Sequence, residues 1–241
     1  MVLLLGVWVA KGHAWARGAC YELASTEVQP DFKVSEDPAA AAAALLAETA
    51  GHLCITGGST PRAAYEQISA LRASDIWFTD ERCVPPDHEH SNFRMANEAL
   101  LARLSGVELH RMKGELGPVE GAADYEREYE AAGEPVFDLI LLGLGPDAHT
   151  CSLFPGDDAL GERDRPVIGV ETPGMAPLVS RVTLTFPVVN GSRQIVFLVT
   201  GEDKADAVAR AFAGPPDPSA PASLVDGEVT VLLDEAAARR L

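Results

Sequence analysis

Short apolar segments alternate with longer Ala- and Leu-rich segments along the chain from Glu27 onwards. The short segments have the length of β-strands, and in residues 92–104 apolar side chains recur at helical spacing. The run VFDLILL at 136–142 is nearly continuous in apolar residues, as expected of a central strand that is covered on both faces. We therefore predict an α/β fold with a mostly parallel sheet and helices on both of its faces.

The same pattern predicts the individual elements. Strands are expected at 32–35, 52–56, 75–79, 107–112, 136–142, 167–170, 181–186, 194–200 and 229–233, and helices at 38–50, 61–71, 92–104, 120–131 and 203–212. The alternation is less regular around 165–200, which predicts a small extra β element. With 241 residues, no repeat and no linker, residues 27–241 are interpreted as a single domain.

Residues 1–26 precede this pattern. The segment MVLLLGVWVA at 1–10 is apolar, but no positively charged stretch precedes it, as a signal peptide would require. It is also too short to span a bilayer. We interpret residues 1–26 as an N-terminal extension of undetermined role and expect a cytoplasmic protein, either a monomer or a homodimer.

The charge of the chain excludes some partners and restricts the site. Lys and Arg number 19 against 36 Asp and Glu, so the formal net charge is −17. Such a surface repels nucleic acids and anionic membranes, and neither is an expected partner. An anionic substrate therefore needs a local basic pocket. The four cysteines are widely spaced and form no CxxC pair, so they predict neither a zinc site nor a disulfide framework.

Ligands of open parallel sheets bind beyond the carboxyl ends of the strands. The first segment of interest there is GGSTP, with Gly57, Gly58, Ser59 and Thr60 before Pro61. We predict Thr60 as the helix N-cap and Pro61 as the first helical residue, which leaves backbone N–H groups free for an anion. The alternative is an ordinary strand-to-helix turn with a good cap.

A charged triplet, Asp80-Glu81-Arg82, follows the next predicted strand. Such a triplet is commonly a solvated loop. Alternatively, Arg82 points into the site as a fixed cation, where its planar guanidinium suits phosphate, carboxylate or a developing oxyanion. Asp80 would then orient a cation or a hydroxyl group nearby.

A third segment, GLGPDAHT at 143–150, follows the strand predicted to be central. It presents His149, with Asp147 two residues earlier. A histidine with an ordinary pKa of about 6.5 can take a proton from water near neutral pH. The alternative is a structural histidine, which is commoner for an isolated residue of this type.

Lys204 follows a strand and a glycine, in TGEDK at 200–204, near the start of a helix. The helix dipole does not favour a cation there, which hints at a ligand partner. The alternative is a solvated lysine.

Taken together, these segments closely resemble the 6-phosphogluconolactonase family, within the glucosamine/galactosamine-6-phosphate isomerase-like superfamily. The similarity covers about 27–241 in the same order. The motifs that carry it are GGSTP at 57–61, TDERCVP at 79–85, SN at 91–92, GLGPDAHTCSLFPG at 143–156, RVTLTFPVVN at 181–190, LVTGEDKADAV at 198–208 and PASLV at 221–225.

The resemblance implies a Rossmann-like three-layer αβα fold. It also implies hydrolysis of 6-phosphoglucono-δ-lactone to 6-phosphogluconate in the oxidative pentose phosphate pathway, without a metal or other cofactor. It implies His149 as the general base that activates water, with Asp80 and Arg82 in the active site. Lys204 and the glycine loop Gly57, Gly58, Ser59 and Thr60 are implied to bind the substrate, and Arg181 is a further candidate for the pocket.

One position departs from the family pattern: glycine usually precedes the histidine, whereas this chain has Ala148. If this position has a positive φ, alanine costs about 1 kcal/mol or more and could displace His149.

Two alternative functions stay open. A glucosamine-6-phosphate deaminase-like isomerase uses a related glycine loop and histidine, but the resemblance there implies a tyrosine at position 82 and Asn-Glu-Pro after the histidine, where this chain has Arg82 and Leu153-Phe154-Pro155. The other alternative is a sugar-phosphate-binding module without catalysis. Lactone turnover separates the lactonase from both.

Overall fold

The computed structural model describes residues 30–241, so the N-terminal extension predicted for 1–26 lies outside the described residues. Seven strands form one sheet in which every pair of neighbours is parallel. In spatial order they are β1 (Asp31–Val34), β10 (Val229–Leu233), β9 (Ile195–Val199), β6 (Leu139–Leu142), β2 (Gly51–Ile55), β3 (Ala73–Phe78) and β5 (Glu108–Leu109). The predicted fold class is confirmed.

The middle strand of this sheet is buried along its whole length. Strand β6 has three neighbours on each side, and all of its residues, LILL, are buried. The adjacent strand β9, IVFLV, is buried throughout as well. Continuous apolar sequence is what a parallel strand needs when helices cover both faces. The prediction of a central strand in VFDLILL is therefore confirmed.

In the described part of the chain, six α-helices connect the strands. They are α1 (Pro38–Glu48), α2 (Ser59–Gln67), α3 (Asn92–Ala99), α4 (Pro118–Ala131), α5 (Phe186–Asn190) and α6 (Ala205–Phe212). The start of α1 follows from its sequence, because Asp37 accepts a hydrogen bond from the backbone N–H of Ala40 at 2.9 Å and Pro38 occupies the first turn. No helix within residues 30–241 is both long enough and apolar enough to cross a membrane.

The extra β element predicted around 165–200 is present. Strands β7 (Val167–Val170) and β8 (Arg181–Leu184) pair antiparallel, and β4 (Asp80–Arg82) joins β8 to make a three-stranded sheet. The alternative of a solvated loop for Asp80-Glu81-Arg82 is therefore excluded. These residues pair as a β-strand with residues about a hundred positions later in the chain. Local sequence does not encode such a distant pairing.

Several predicted helix and strand limits are also wrong. Helix α2 begins at Ser59, before the predicted first residue Pro61, and ends at Gln67 rather than Leu71. The N-cap of α2 is Gly58 and not Thr60, and the chain turns there at a φ of 120°. The hydroxyl of Thr60 lies 3.0 Å from the hydroxyl of Thr200. The helix predicted at 92–104 ends at Ala99 and continues as a short 3₁₀ turn. The strand predicted at 107–112 is reduced to the two residues of β5.

Large aromatic side chains fill the core beneath the carboxyl ends of β2 and β3. Trp77, Tyr65 and Tyr125 are completely buried. The hydroxyl of Tyr65 donates to the carbonyl of Thr56 at 2.8 Å and accepts from its N–H at 3.1 Å. Buried polar groups of this kind need such partners, and these two bonds hold the chain in place where β2 ends and the glycine loop begins.

Candidate active site

A cavity of about 220 Å³ opens where β2, β3 and β6 end. Most of the residues predicted for the site line it: Gly57, Gly58, Asp80, Arg82, His149, Arg181 and Lys204. Ser59 and Thr60 are not among its lining residues. Segments that are far apart in the sequence therefore meet in one place, at the end of the sheet where ligands of parallel folds bind.

The loop that carries His149 is shaped by close packing. A side chain at Gly145 would have its Cβ within 2.1 Å of Nδ1 of His149, so only glycine fits there. The N–H of Gly145 donates to the carbonyl of His149, and the N–H of Ala148 donates to the carbonyl of Gly145, both at 2.9 Å. The residue before the histidine, Ala148, is completely buried and has a φ of 66°.

The positive φ that we considered for position 148 is thus present. Alanine is uncommon in this conformation, because its Cβ crowds the backbone. The strain does not displace His149, which still lines the cavity and packs on Phe154 with ring centroids 4.6 Å apart.

His149 and Asp147 form a close pair. Nδ1 of His149 lies 2.5 Å from Oδ1 of Asp147, which also accepts the backbone N–H of His149 at 3.2 Å. Burial acts to raise the pKa of Asp147, but the hydrogen bonds and charge of His149 outweigh it and lower that pKa. An ionised carboxylate only accepts hydrogen bonds, so the proton is assigned to Nδ1. That assignment leaves the lone pair on Nε2 free to take a proton.

Asp80 is buried at the start of β4 and is held by hydroxyl groups. Its Oδ2 accepts the hydroxyl of Ser152 at 2.7 Å, and its Oδ1 accepts that of Thr79 at 2.9 Å. Both of these donors are hydroxyl groups of the protein itself. The bond to Ser152 also ties the strand that carries Arg82 to the loop that carries His149.

Glu81, the middle residue of the triplet, points away from the cavity and organises the chain behind it. Its buried carboxylate accepts the backbone N–H groups of Arg82, Asn92 and Phe93 at 2.7–2.8 Å and the hydroxyl of Ser91 at 2.9 Å. Burial raises the pKa of Glu81, while these four donors favour its charged form. The sequence analysis assigned no role to this residue.

Asn92 is a lining residue that our sequence reasoning did not single out. It is buried, and its Nδ2 donates to the carbonyl of Asp80 at 2.8 Å, so it supports the wall of the cavity. The SN pair at 91–92 was the available signal. Other lining residues that local sequence gave no reason to choose are Thr56, Phe154, Met175 and Ala176.

Three cations line the cavity, and their hydrogen bonds within residues 30–241 go to backbone carbonyls. Arg82 donates to His90 at 2.8 Å, Arg181 to Val179 and Pro177 at 3.0 and 2.9 Å, and Lys204 to Leu144 at 2.9 Å. Nε of Arg82 is buried without a partner among the described residues. Their positive charges are thus left for a ligand, in a chain whose net charge is −17.

Burial is the main cause of the pKa shifts of two of these cations. Burial, followed by the positive charge of Arg82, lowers the pKa of Arg181. Burial also lowers the pKa of Lys204, although Asp203 and Asp147 act against that shift. An anion bound here would favour the charged forms of both side chains.

Lys204 and the glycine loop lie on the same side of the cavity. The hydroxyls of Thr60, in the first turn of α2, and Thr200, at the end of β9, are 3.0 Å apart, and this contact joins the two turns. Arg82 and Arg181 lie on the opposed strands β4 and β8. The lining of the cavity therefore combines Gly57, Gly58 and Lys204 from two joined turns with the side chains Arg82 and Arg181 from two paired strands.

Known proteins resemble this chain over most of its length. The family model described as glucosamine-6-phosphate isomerases/6-phosphogluconolactonase matches residues 33–233. The chain is 36% identical to human 6-phosphogluconolactonase over 87% of its own length and 92% of the relative's. It is 38% identical to that of Nostoc over 78% and 84% of the two chains.

Solved structures give the same relationship. The structure of 6-phosphogluconolactonase from Trypanosoma cruzi superposes with a TM-score of 0.75 at 28% identity, over 88% of this chain and 97% of that one. The chain belongs to the glucosamine-6-phosphate isomerase/6-phosphogluconolactonase family.

Proposed function

We propose that this chain is a lactonase that hydrolyses 6-phosphoglucono-δ-lactone to 6-phosphogluconate, the reaction for which its relatives are named. The observation that carries the proposal is the meeting of a paired histidine with three cations in one cavity. This arrangement supplies a base for water and positive charge for both a phosphate and an oxyanion. Within the family, it favours lactone hydrolysis.

In the proposed mechanism the phosphate lies against Gly57 and Gly58, with Lys204 beside it. A phosphate there meets the N-terminal N–H groups of α2 and a charged donor together. The ring carbonyl is then directed towards Arg82 and Arg181. Binding energy from the remote phosphate thereby serves to orient the reacting carbon.

His149 performs the proton transfers in this proposal. Nε2 takes a proton from the water that attacks the lactone carbonyl, while Asp147 holds Nδ1 and stabilises the resulting imidazolium. Arg82 stabilises the oxyanion, and the imidazolium then protonates the departing ring oxygen. Such a base typically contributes ~10²–10⁴-fold and an oxyanion donor ~10²–10³-fold, which suffices for a lactone that already opens slowly in water.

The test is a continuous assay of lactone disappearance against a control without enzyme, for the wild-type chain and His149→Gln. We expect the variant to lose ~10²–10⁴-fold in kcat and to approach the uncatalysed background. A variant with an unimpaired rate would reject the role of His149. Deamination of glucosamine 6-phosphate, or tight 6-phosphogluconate binding without lactone turnover by the wild-type chain, would reject the lactonase itself.

The setting of the enzyme is part of the same proposal. We place it in the cytoplasm, which agrees with the free thiols of the described cysteines Cys54, Cys83 and Cys151. We propose one sugar-phosphate lactonase domain at 27–241 that acts as a monomer or a homodimer. Sedimentation velocity distinguishes the two states.

A further inference from the structure

A second cluster of ionisable side chains lies at the outer edge of the main sheet. It consists of Asp75 near the start of β3, Glu108 in β5, His110 just after β5, and Glu128 in α4. None of these residues lines the catalytic cavity. Asp75 precedes Asp80 by five residues of extended chain, roughly 15 Å, so the cluster lies towards the opposite end of the sheet.

His110 is the centre of this cluster, and both of its ring nitrogens face carboxylates. Nδ1 lies 2.8 Å from Oε1 of Glu128, and Nε2 lies 3.0 Å from Oδ1 of Asp75. The ring is stacked on the indole of Trp77, with centroids 3.7 Å apart and planes 8° from parallel. Only 6% of His110 is exposed, so its orientation is set by packing.

These two contacts cannot both be made by a neutral imidazole. A neutral ring carries one N–H, and ionised carboxylates only accept hydrogen bonds. If Nδ1 donates to Glu128, then the lone pair of Nε2 faces an oxygen of Asp75 at 3.0 Å. Either a proton or a metal ion must therefore lie between these two atoms.

Glu108 adds another negative charge at the same place. Asp75 and Glu108 are direct partners in the pairing of β3 with β5, where like charges are destabilising. Ligand atoms of Asp75, Glu108 and His110 all lie within 4.8 Å of one another. Counting Glu128, three carboxylates surround the ring. A proton would leave two net negative charges, whereas a divalent cation on a neutral ring would leave one.

We propose that Asp75, Glu108 and His110 form a binding site for a divalent transition-metal ion of the zinc type. One imidazole with carboxylates is a ligand set that zinc accepts, and water would complete the coordination. Glu128 then acts as the outer carboxylate that orients the imidazole through Nδ1. The ion would hold the two-residue strand β5 against β3, so its role is structural and independent of the lactonase reaction.

The first experiment measures thermal unfolding of the full chain after treatment with EDTA and dialysis, with and without ZnCl₂. At about a hundredfold excess of zinc over its Kd, we expect the midpoint to rise by roughly 5–10 °C. MgCl₂ at the same concentration should have little effect, because magnesium prefers an all-oxygen octahedral site. A midpoint that does not change with zinc would overturn the proposal in favour of a protonated His110.

Variants assign the zinc to this cluster. Glu108→Gln alters an exposed residue, so the variant should fold, and we expect its zinc affinity by calorimetry to fall at least tenfold. Glu128→Gln should weaken zinc binding by ~10–100-fold through the outer contact. The matched control is Glu228→Gln, an exposed glutamate just before β10, which should bind zinc as the wild type does. Unchanged affinity in Glu108→Gln would place the zinc elsewhere and reject the site.

A spectroscopic signal is independent of stability. Co²⁺ bound to His110 would lie beside the stacked indole of Trp77 and should quench its fluorescence. The quenching should be lost in Glu108→Gln and in Trp77→Phe, which leaves Trp8 and Trp15 as the remaining indoles. Equal quenching in wild type and Trp77→Phe would contradict the proposed location.

Discussion

Arg82 and Arg181 occupy directly opposed positions on the antiparallel strands β4 and β8, and both line the catalytic cavity. Like charges at directly opposed positions destabilise a sheet unless a negatively charged group lies between them or close to them. Their hydrogen bonds within residues 30–241 go to backbone carbonyls, and neither guanidinium forms a direct ion pair with a carboxylate there. The pair is therefore suited to receive an anionic group, whether an oxyanion or a phosphate.

Replacing Arg82 with Gln should act mainly on kcat. The amide keeps some hydrogen-bonding capacity but removes the charge that we place next to the oxyanion, so we expect kcat to fall ~10²–10³-fold. The measurement is steady-state lactonase kinetics, with Arg127→Gln as a control at an exposed arginine of α4. If Arg82→Gln changes only KM, then Arg82 binds the substrate and does not stabilise the oxyanion.

Replacing Lys204 with Gln should act mainly on KM. A charge-assisted hydrogen bond is worth about 1.5–3 kcal/mol, which corresponds to a roughly 10- to 150-fold rise in KM if the phosphate lies beside Lys204. We expect kcat to change much less, because this contact is present in ground state and transition state alike. Lys33→Gln, at an exposed lysine of β1, is the control. A large fall in kcat at constant KM would contradict the assignment.

Position 148 should tolerate glycine and reject valine. Ala148→Gly relieves a backbone strain of about 1–2 kcal/mol. Against this, the folded state loses about 0.8 kcal/mol because a buried methyl group is removed, and about 0.4–1 kcal/mol because the unfolded chain gains conformational entropy. The free energy of unfolding should therefore change by less than about 1 kcal/mol. Ala148→Val places a β-branched side chain at a φ of 66° in a fully packed site. This substitution should lower the free energy of unfolding by about 2 kcal/mol or more.

Urea unfolding of the two variants provides the comparison, and each serves as the control for the other. Lactonase activity should follow the same order, because a shift of the backbone at this position moves the next residue, His149. Equal stability of the valine variant and the wild type would show that position 148 does not hold a positive φ.

Asp147 should contribute to the acid stability of the fold. Its pKa is lowered because the contacts with His149 outweigh the effect of burial. This contribution is complete above the ordinary aspartate pKa of about 4 and is lost as the pH falls through the lowered pKa. The free energy of unfolding of Asp147→Asn should therefore decline less than that of the wild type between about pH 5 and pH 2.

Chemical unfolding across that pH range tests the prediction, with Asp226→Asn as a control at an exposed aspartate before β10. Parallel pH profiles for Asp147→Asn and the wild type would mean that the pairing with His149 does not stabilise the folded state.

Local sequence was sufficient for much of the fold. Alternating apolar and helical segments predict the order of the elements, and the continuous run at 136–142 predicts the buried central strand that β6 forms. These patterns work because burial and helical periodicity are properties of neighbouring residues. For the same reason the strands and glycine turns that precede His149 and Lys204 could be located in advance.

The tertiary structure decided what depends on residues far apart in the chain. Pairing with β8 makes Asp80-Glu81-Arg82 a strand and sets Arg82 opposite Arg181. A hydrogen bond across 72 positions joins Asp80 to Ser152, and burial turns Glu81 into a support for Asn92. The packing of Trp77 and α4 around His110 likewise has no local signal. Distances in space decide which charged side chains lie close together and which of them lack partners. A one-dimensional pattern of residue types does not contain those distances.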